Sequence, residues 1–430
     1  MVEVSDASTE RHHTTPPSEP SATASPATVI PLSLTEDYAP AWGVWEGVRE
    51  LVQNWHDGCL EQTSVAGRIR WESHADDAAG ALQRFEAVDA DGGRCGTALY
   101  DPWLQRLTLV NRDVSLERRV LLLGTSRKAH AAESIGQFGE GMKVGALALL
   151  RERRSVEMVT RDERWRWVRR ADPAFGEVRV LSVEVSRRDD AADALVAAEL
   201  VGAAAEDDER AAADPELAVS AASARSYYQG ELRLGAADTC TTVSPLEPEE
   251  WRTFARRFLF LAPPADSYRC ELGELLLDDA LQGQLYVKVR VRVRVRVHLN
   301  PAPAPAPAPT PNPNPNPNPS PNPDPDPSPA QGVWIADLRE EGLASGLNFR
   351  QMRLDRDRRA VLHQSDLESQ AAAMWVRAID ARPALASKLY ALLDRPTPPS
   401  DVRRTCEFLQ AASPNRNPNS NPNPDPSPKP

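Results

Sequence analysis

From Pro301 to Pro329 nearly every second residue is proline. Such a stretch lacks a backbone N–H at alternate positions, so it can enter neither a helix nor the middle of a sheet. It reads as a stiff, polyproline-like spacer. Whatever packs in this chain must be built on either side of it. The spacer follows Tyr286 to Leu299, where Val alternates with Lys or Arg, a strand pattern with one face to bury and one basic face to wet. Residues 396–430 decay into a second Asn/Pro-rich tail, expected to be disordered. The first 31 residues, rich in Ser, Thr, Pro and Ala, carry Glu3, Asp6, Glu10 and Glu19 and lack an apolar core. They read as a disordered tail, not a signal or transit peptide.

Between these tracts the 430-residue chain has ordinary globular stock, 41% hydrophobic, enough for two domains. A net charge of −12 gives no general attraction to nucleic acid or acidic membranes. No run approaches the roughly 18 apolar residues of a membrane span. Cys59, Cys95, Cys240, Cys270 and Cys406 stand far apart with no C-x-x-C pair. That argues against a disulfide framework or structural zinc and for a reducing, intracellular setting, cytoplasm or nucleus. The histidines show no metal-ligand spacing. Residues 187–222, dominated by Ala, Asp and Glu, read as a solvated insertion.

Three stretches carry chemistry. In Glu50-Leu-Val-Gln-Asn54-Trp-His-Asp57, the three polar residues fall within a ~60° arc of one helix face. Val44, Val48, Leu51, Trp55 and Cys59 form a separate apolar face. Glu can orient and deprotonate a water, and an Asn oxygen can ligate Mg²⁺. Gly136-Gln137-Phe138-Gly139-Glu140-Gly141-Met142-Lys143 precedes an apolar helix, so backbone amides and a helix N-terminus could meet phosphate. It is neither a Walker A loop nor a dinucleotide fingerprint. Upstream lie the strand Leu107–Asn111 and the turn Gly124-Thr125-Ser126-Arg127-Lys128.

The order of these pieces resembles the ATP-binding domain of the GHKL superfamily, which includes Hsp90, gyrase, histidine kinases and MutL. The run Ile135–Gly141 is closest to the Hsp90 type. The resemblance implies an α+β chain: a two-layer α/β sandwich, the Bergerat-type ATP-binding domain, over residues 32–245. A smaller α/β transducer-like domain would follow over 246–395, with the spacer 300–330 inserted in it. It implies Glu50 as the base that activates water and Asn54 as the Mg²⁺ ligand, with Asp57 beside the nucleotide. Gly136, Gln137, Phe138, Gly139, Gly141 and Lys143 would surround the phosphates, and Gly124, Thr125, Ser126 and Lys128 would form the hinge of a mobile lid. Thr239 matches the Thr of a family G-T strand motif, with Thr241 as the other choice and Asp238 where the motif has Gly. Asn111 stands for the Asp that reads adenine, in a segment, Asn111-Arg-Asp-Val-Ser115, without the family's two glycines. Arg356 or Arg358 would reach the γ-phosphate.

The function implied is ATP binding with slow Mg²⁺-dependent hydrolysis, lid closure driving a conformational change or homodimerisation on behalf of a protein client. The alternative is a nucleotide-binding scaffold that has lost catalysis through its altered Asn111 segment.

Overall fold

The computed structural model describes residues 27–62, 69–75, 82–122, 140–173, 176–188, 234–288, 332–355 and 358–412. Two sheets organise them. Four consecutive strands, β2 (Arg70–Ala75), β3 (Gln83–Val88), β4 (Arg94–Asp101) and β5 (Arg106–Asn111), form an antiparallel meander. A second meander joins β6 (Ser155–Thr160), β7 (Glu163–Asp172) and β8 (Val178–Arg187). Between them β9 (Thr239–Ser244) pairs with both β5 and β6, and β1 (Thr28–Thr35) closes the far edge on β8. The result is a nine-stranded sheet of order β1-β8-β7-β6-β9-β5-β4-β3-β2.

Strand alternation sends Leu107 and Leu109 of β5, Trp165 and Trp167 of β7, and Leu181, Val183 and Val185 of β8 to one buried core. Helix α1 (Val44–Gln62) and helix α2 (Gly141–Arg151) cover it. Of the expected apolar stripe of α1, Val48, Leu51, Trp55 and Cys59 are buried there and Val44 is half-buried, while Val52, outside the expected stripe, is buried with them. The two helices cross at glycines. A methyl group on Gly47 would lie 2.9 Å from the Gly145 carbonyl, so backbones meet where any side chain would hold them apart.

Helix α3 (Pro248–Ala255) starts where Glu250 accepts the Glu247 N–H. It leads into the second sheet: β10 (Ser267–Cys270), β11 (Gly273–Leu276), β12 (Gln284–Lys288), β13 (Gly332–Asp337) and β14 (Gly346–Phe349), in order β10-β11-β14-β12-β13. Only β12 and β14 run parallel. Helices α4 (Gln364–Ala381), α5 (Leu385–Leu393) and α6 (Ser400–Ala412) bury Leu367, Met374, Trp375, Leu389, Leu392 and Val402 against it. Lys288 lies opposite Gly332, so the chain leaves and re-enters this sheet at one point on either side of the proline spacer, which itself lies outside the described residues.

Several expectations are corrected. The α+β reading, a two-layer α/β sandwich followed by an α/β domain, gives way to a large antiparallel nine-stranded sheet plus a second sheet, with few helices. The physical reason is that residues 83–111 and 155–187 fold back on themselves hairpin by hairpin, each strand pairing antiparallel with the next. Strand structure begins at Thr28, inside the expected N-terminal tail, and α6 occupies Ser400–Ala412, inside the expected C-terminal one. Residues 123–139 and 189–233 lie outside the described residues, and with them Gly124, Thr125, Ser126, Lys128, Gly136, Gln137, Phe138 and Gly139 and nearly all of the acidic insertion; Arg356 lies outside as well.

Candidate functional site

Glu50 stands at the centre of the site. It lies one turn along α1 from the Gly47–Gly145 crossing, so the close approach of the helices brings its carboxylate to the N-terminus of α2. A methyl group on Gly141 would lie 2.2 Å from Glu50 Oε2. Any side chain there would have to push the Glu50 carboxylate aside. Glu140, the N-cap residue, makes no side-chain cap bond, and the first amides of a helix have no intrahelical acceptor. This end therefore presents partial positive charge to an anion.

Arginines hold the other carboxylate oxygen. Arg49 donates from Nε (3.2 Å) and Nη2 (3.1 Å) to Glu50 Oε1. Burial pulls the Arg49 guanidinium below its usual pKa, and nearby Arg358 adds to this, while Glu50 and Glu46 oppose it. Arg49 also lies 5.3 Å from the centre of the Trp42 ring. Arg358, reaching over from the second sheet's side of the molecule, donates to Gln53 Oε1 at 3.0 Å and to Glu50 Oε1 at 3.4 Å. It sits at φ 55° in a turn held by the Asp355 carboxylate, which accepts the Arg359 N–H.

On the same face of α1, Asn54 is exposed, while Asp57 is half-buried with Oδ1 3.4 Å from His56 Nδ1. Glu50, Asn54 and Asp57 offer oxygen atoms along one face of α1, with Glu50 and Asp57 about 10 Å apart along the helix axis, and a Cβ at Gly141 would crowd the Glu50 carboxylate. Asn54 and Asp57 carry the oxygen atoms that a hard cation such as Mg²⁺ takes.

Lys143 is placed differently from the phosphate contact expected of it. It is fully buried, and Nζ donates to the Leu122 carbonyl at 3.0 Å, fastening α2 to the last residue before segment 123–139. Burial pulls its pKa down, against Glu140.

Asn111 lies under α1, beside Gly58. Its Nδ2 donates to the Trp55 carbonyl (2.8 Å) and lies 3.3 Å from Cys59 Sγ. The turn after it is rebuilt without glycine. Asp113 adopts φ 51°, a left-handed conformation, and Asp238 holds it there. The Asp238 carboxylate accepts the Asp113 and Gly235 N–H groups (3.0 and 2.8 Å) and Arg112 Nη1 (2.7 Å). Burial alone would raise the Asp238 pKa, but these bonds outweigh it and hold the carboxyl below its usual range. Thr239 Oγ1 donates to the Val114 carbonyl (2.5 Å) and meets Thr160 Oγ1 at 2.9 Å, and Thr160 in turn accepts the Leu116 N–H. Thr239 thus fixes the 111–116 segment.

Sequence reasoning missed two elements of this frame. The Asp238 clamp had a signal: glycines are absent from 111–115 just where Asp replaces the Gly before Thr239. Arg151 had none. Its guanidinium, at the end of α2, donates to the carbonyls of Glu36, Tyr38, Ala39 and Trp42 (2.8–3.1 Å), all more than a hundred residues away. Elsewhere, Glu72, His74 and Glu86 cluster closely enough to suggest a metal, but Arg94 lies 3.0 Å from Glu86 and already balances its charge. No helix among the described residues is long and apolar enough to cross a membrane. Comparison with protein-family models, with curated proteins and with solved structures finds no match for this chain.

Proposed function

We propose that this chain binds ATP and hydrolyses it slowly, with Glu50 as general base. The observation that carries the reading is the contact between the Glu50 carboxylate and Gly141 at the α2 N-terminus. A terminal phosphate seated on the α2 amides would lie within reach of a carboxylate that can take a proton from an attacking water. Asn54, with Asp57 nearby, is the group we assign to Mg²⁺, which would neutralise charge on the phosphates. Arg358 and Arg49 are the basic groups at the reacting end. The three motifs resembling the GHKL superfamily support the same assignment, and the resemblance gives Gly124, Thr125, Ser126 and Lys128 to a lid hinge and Gly136, Gln137, Phe138 and Gly139 to the phosphates. A homodimer, a protein client and a cytoplasmic or nuclear setting belong to this proposal too.

Binding without turnover is the second reading, and one observation favours it: Glu50 Oε1 is held by both Arg49 and Arg358. A thermal-shift titration with ATP and Mg²⁺, beside a phosphate-release assay, separates the two. The ATPase reading expects a ligand-dependent rise in Tm and turnover that Glu50→Ala cuts by roughly 10²-fold while binding persists. A Tm rise with no turnover leaves the scaffold reading. No shift with any nucleotide ends both.

A further inference from the structure

Helix α1 carries one more polar side chain that the proposed reaction leaves unused. His56 precedes Asp57, but successive residues of a helix are turned by ~100°, and His56 meets β2 and the segment after α3 instead of the candidate site. Its ring is stacked on Trp71, with centroids 4.9 Å apart and planes 9° from parallel. Phe260 lies 4.3 Å from it and 5.1 Å from Trp71, so three rings pack against one another. His56 is fully buried among them.

Packing alone does not ask for an imidazole here. Nε2 is buried with no hydrogen-bond partner among the described residues, and Trp71 Nε1 in the same stack has none either. A buried nitrogen left unpaired costs stability, and a phenylalanine ring would fill the same cage and strand nothing. What the imidazole has and phenylalanine lacks is Nδ1, which lies 3.4 Å from Asp57 Oδ1. A carboxylate only accepts, so the ring hydrogen is on Nδ1 and the lone pair on the unpaired Nε2. Adjacent residues on a helix do not face each other, so the contact exists because the Asp57 side chain leans back toward the core, with 20% of its surface exposed. The ring is clamped by its neighbours, and the tie to Oδ1 limits rotation of the carboxylate about its Cβ–Cγ bond.

We propose that His56 is a positioning residue for the divalent cation: it holds the Asp57 carboxylate beside Asn54, one turn back on the same face, so that a cation ligand is aimed before nucleotide arrives. This rests on the ATP reading, in which His56 touches neither cation nor nucleotide. An oxygen already held in place loses less freedom when the cation binds, and outer hydrogen bonds of this kind typically contribute 10- to 100-fold to metal affinity.

The Mg²⁺-dependent part of ATP affinity reads this out. ATP is titrated calorimetrically into the full chain, once with excess Mg²⁺ and once with EDTA, and the ratio of the two Kd values is the gain from the cation. H56F keeps a stacked ring and removes the Nδ1 hydrogen. Its gain should fall roughly tenfold, with Tm and the Kd in EDTA close to those of the wild type. H56N does the converse, placing an amide N–H near the position of Nδ1 and giving up the stack, so Tm should fall while the gain survives. If H56F does not fold, H56A and H56N both lack the ring and differ in the donor; the gain should survive in the Asn variant and fall in the Ala variant. In a D57N background, H56F should lower the gain no further, because the ring acts through that carboxylate. An undiminished gain in H56F, equal gains in H56A and H56N, or additive losses in the double variant each overturn the proposal. So does a loss of ATP affinity in EDTA as large as that in Mg²⁺, which makes His56 a support of the fold. A wild-type chain with no ATP affinity in either buffer, or with no gain from Mg²⁺, ends the nucleotide reading itself, whereas a wild-type gain that H56F keeps ends this proposal alone.

Discussion

Asp238 shows how one side chain takes over what glycine would otherwise supply. A left-handed turn at Asp113 is strained for any residue but glycine, Asn or Asp. Here three hydrogen bonds to one carboxylate hold it. Replacing Asp238 with Ala strands two backbone N–H groups and Arg112, and should cost about 2 kcal/mol, the usual worth of bonds to a charged acceptor. Chemical denaturation measures it; a loss below experimental error would mean the turn is held by something else. Because the folded pKa lies below the ordinary value, the contribution is fully present above about pH 4 and is lost as pH falls through the folded pKa. Asp238→Asn should therefore flatten the acid limb of the stability curve; an acid limb identical to the wild type's would sink that assignment. Arg151 is the parallel case in the α2 frame. Four carbonyls depend on it, so Arg151→Leu should lower Tm more than any exposed arginine substitution, such as Arg119→Leu, and equal Tm values would contradict it.

Helix α1 was legible from sequence because its apolar and polar stripes are separate and both are local properties of 3.6-residue periodicity. Helix α2 was legible for a different reason, an unbroken apolar run from Val144 to Leu150 that ends up buried on every side as far as Leu149, and the nearness of glycines to its start was legible too. The sheet was not. Pairing order depends on contacts such as β5 with β9, whose partners run from Asn111 with Thr239 to Leu107 with Val243, and no local pattern encodes them. What placed Glu50 on Gly141 was likewise nonlocal: the glycine crossing of α1 and α2. That crossing makes a test. Gly47→Ala would put its methyl 2.5 Å from Leu149 Cγ and 2.9 Å from the Gly145 carbonyl. Backbone cannot yield as a flexible side chain can, so the helices must part. Overpacking of this kind should cost about 1–3 kcal/mol and move Glu50 off the α2 terminus. Stability and ATP-dependent Tm shift should fall together; full stability with full ligand response would mean the crossing has slack. Gly141→Val tests the contact itself. Its methyl groups must displace the Glu50 carboxylate, so ATP binding should vanish while the fold persists, and retained affinity would leave Gly141 as a mere turn.

The two sheets are joined by aromatic and ionic contacts that converge on the candidate site. Arg257 lies 4.7 Å from the Trp45 ring centre and 4.1 Å from that of Trp334, so a residue of the α3 region bridges α1 to β13. Backbone bonds from Leu259 to Gly332 and from Trp334 to Arg257 fix that joint. Arg358 makes the second joint, at Glu50 and Gln53. Sequence placed Arg358 among two choices for this role and could go no further, because the turn that carries it is set by Asp355 and a positive φ. Its position ties any event at Glu50 to the second sheet. If Arg358 serves the reaction, its charge should matter most when charge develops on phosphate, not in the ground state. Arg358→Ala should then lower kcat about tenfold or more while leaving the ATP Kd within a few-fold, the pattern of an interaction made in the transition state. Arg358→Lys keeps the charge but loses the fork that spans Glu50 and Gln53, and should recover only part of the rate. Restraint of Glu50 by Arg358 predicts the opposite sign, because freeing the carboxylate would raise kcat in the Ala variant and leave Lys intermediate. A weakened Kd with kcat unchanged would mean that Arg358 only helps hold nucleotide. Unchanged kcat and Kd would reduce the contact to a surface tie between the sheets. Steady-state phosphate release together with equilibrium titration on the two variants and the wild type distinguishes these outcomes, because each moves a different pair of constants.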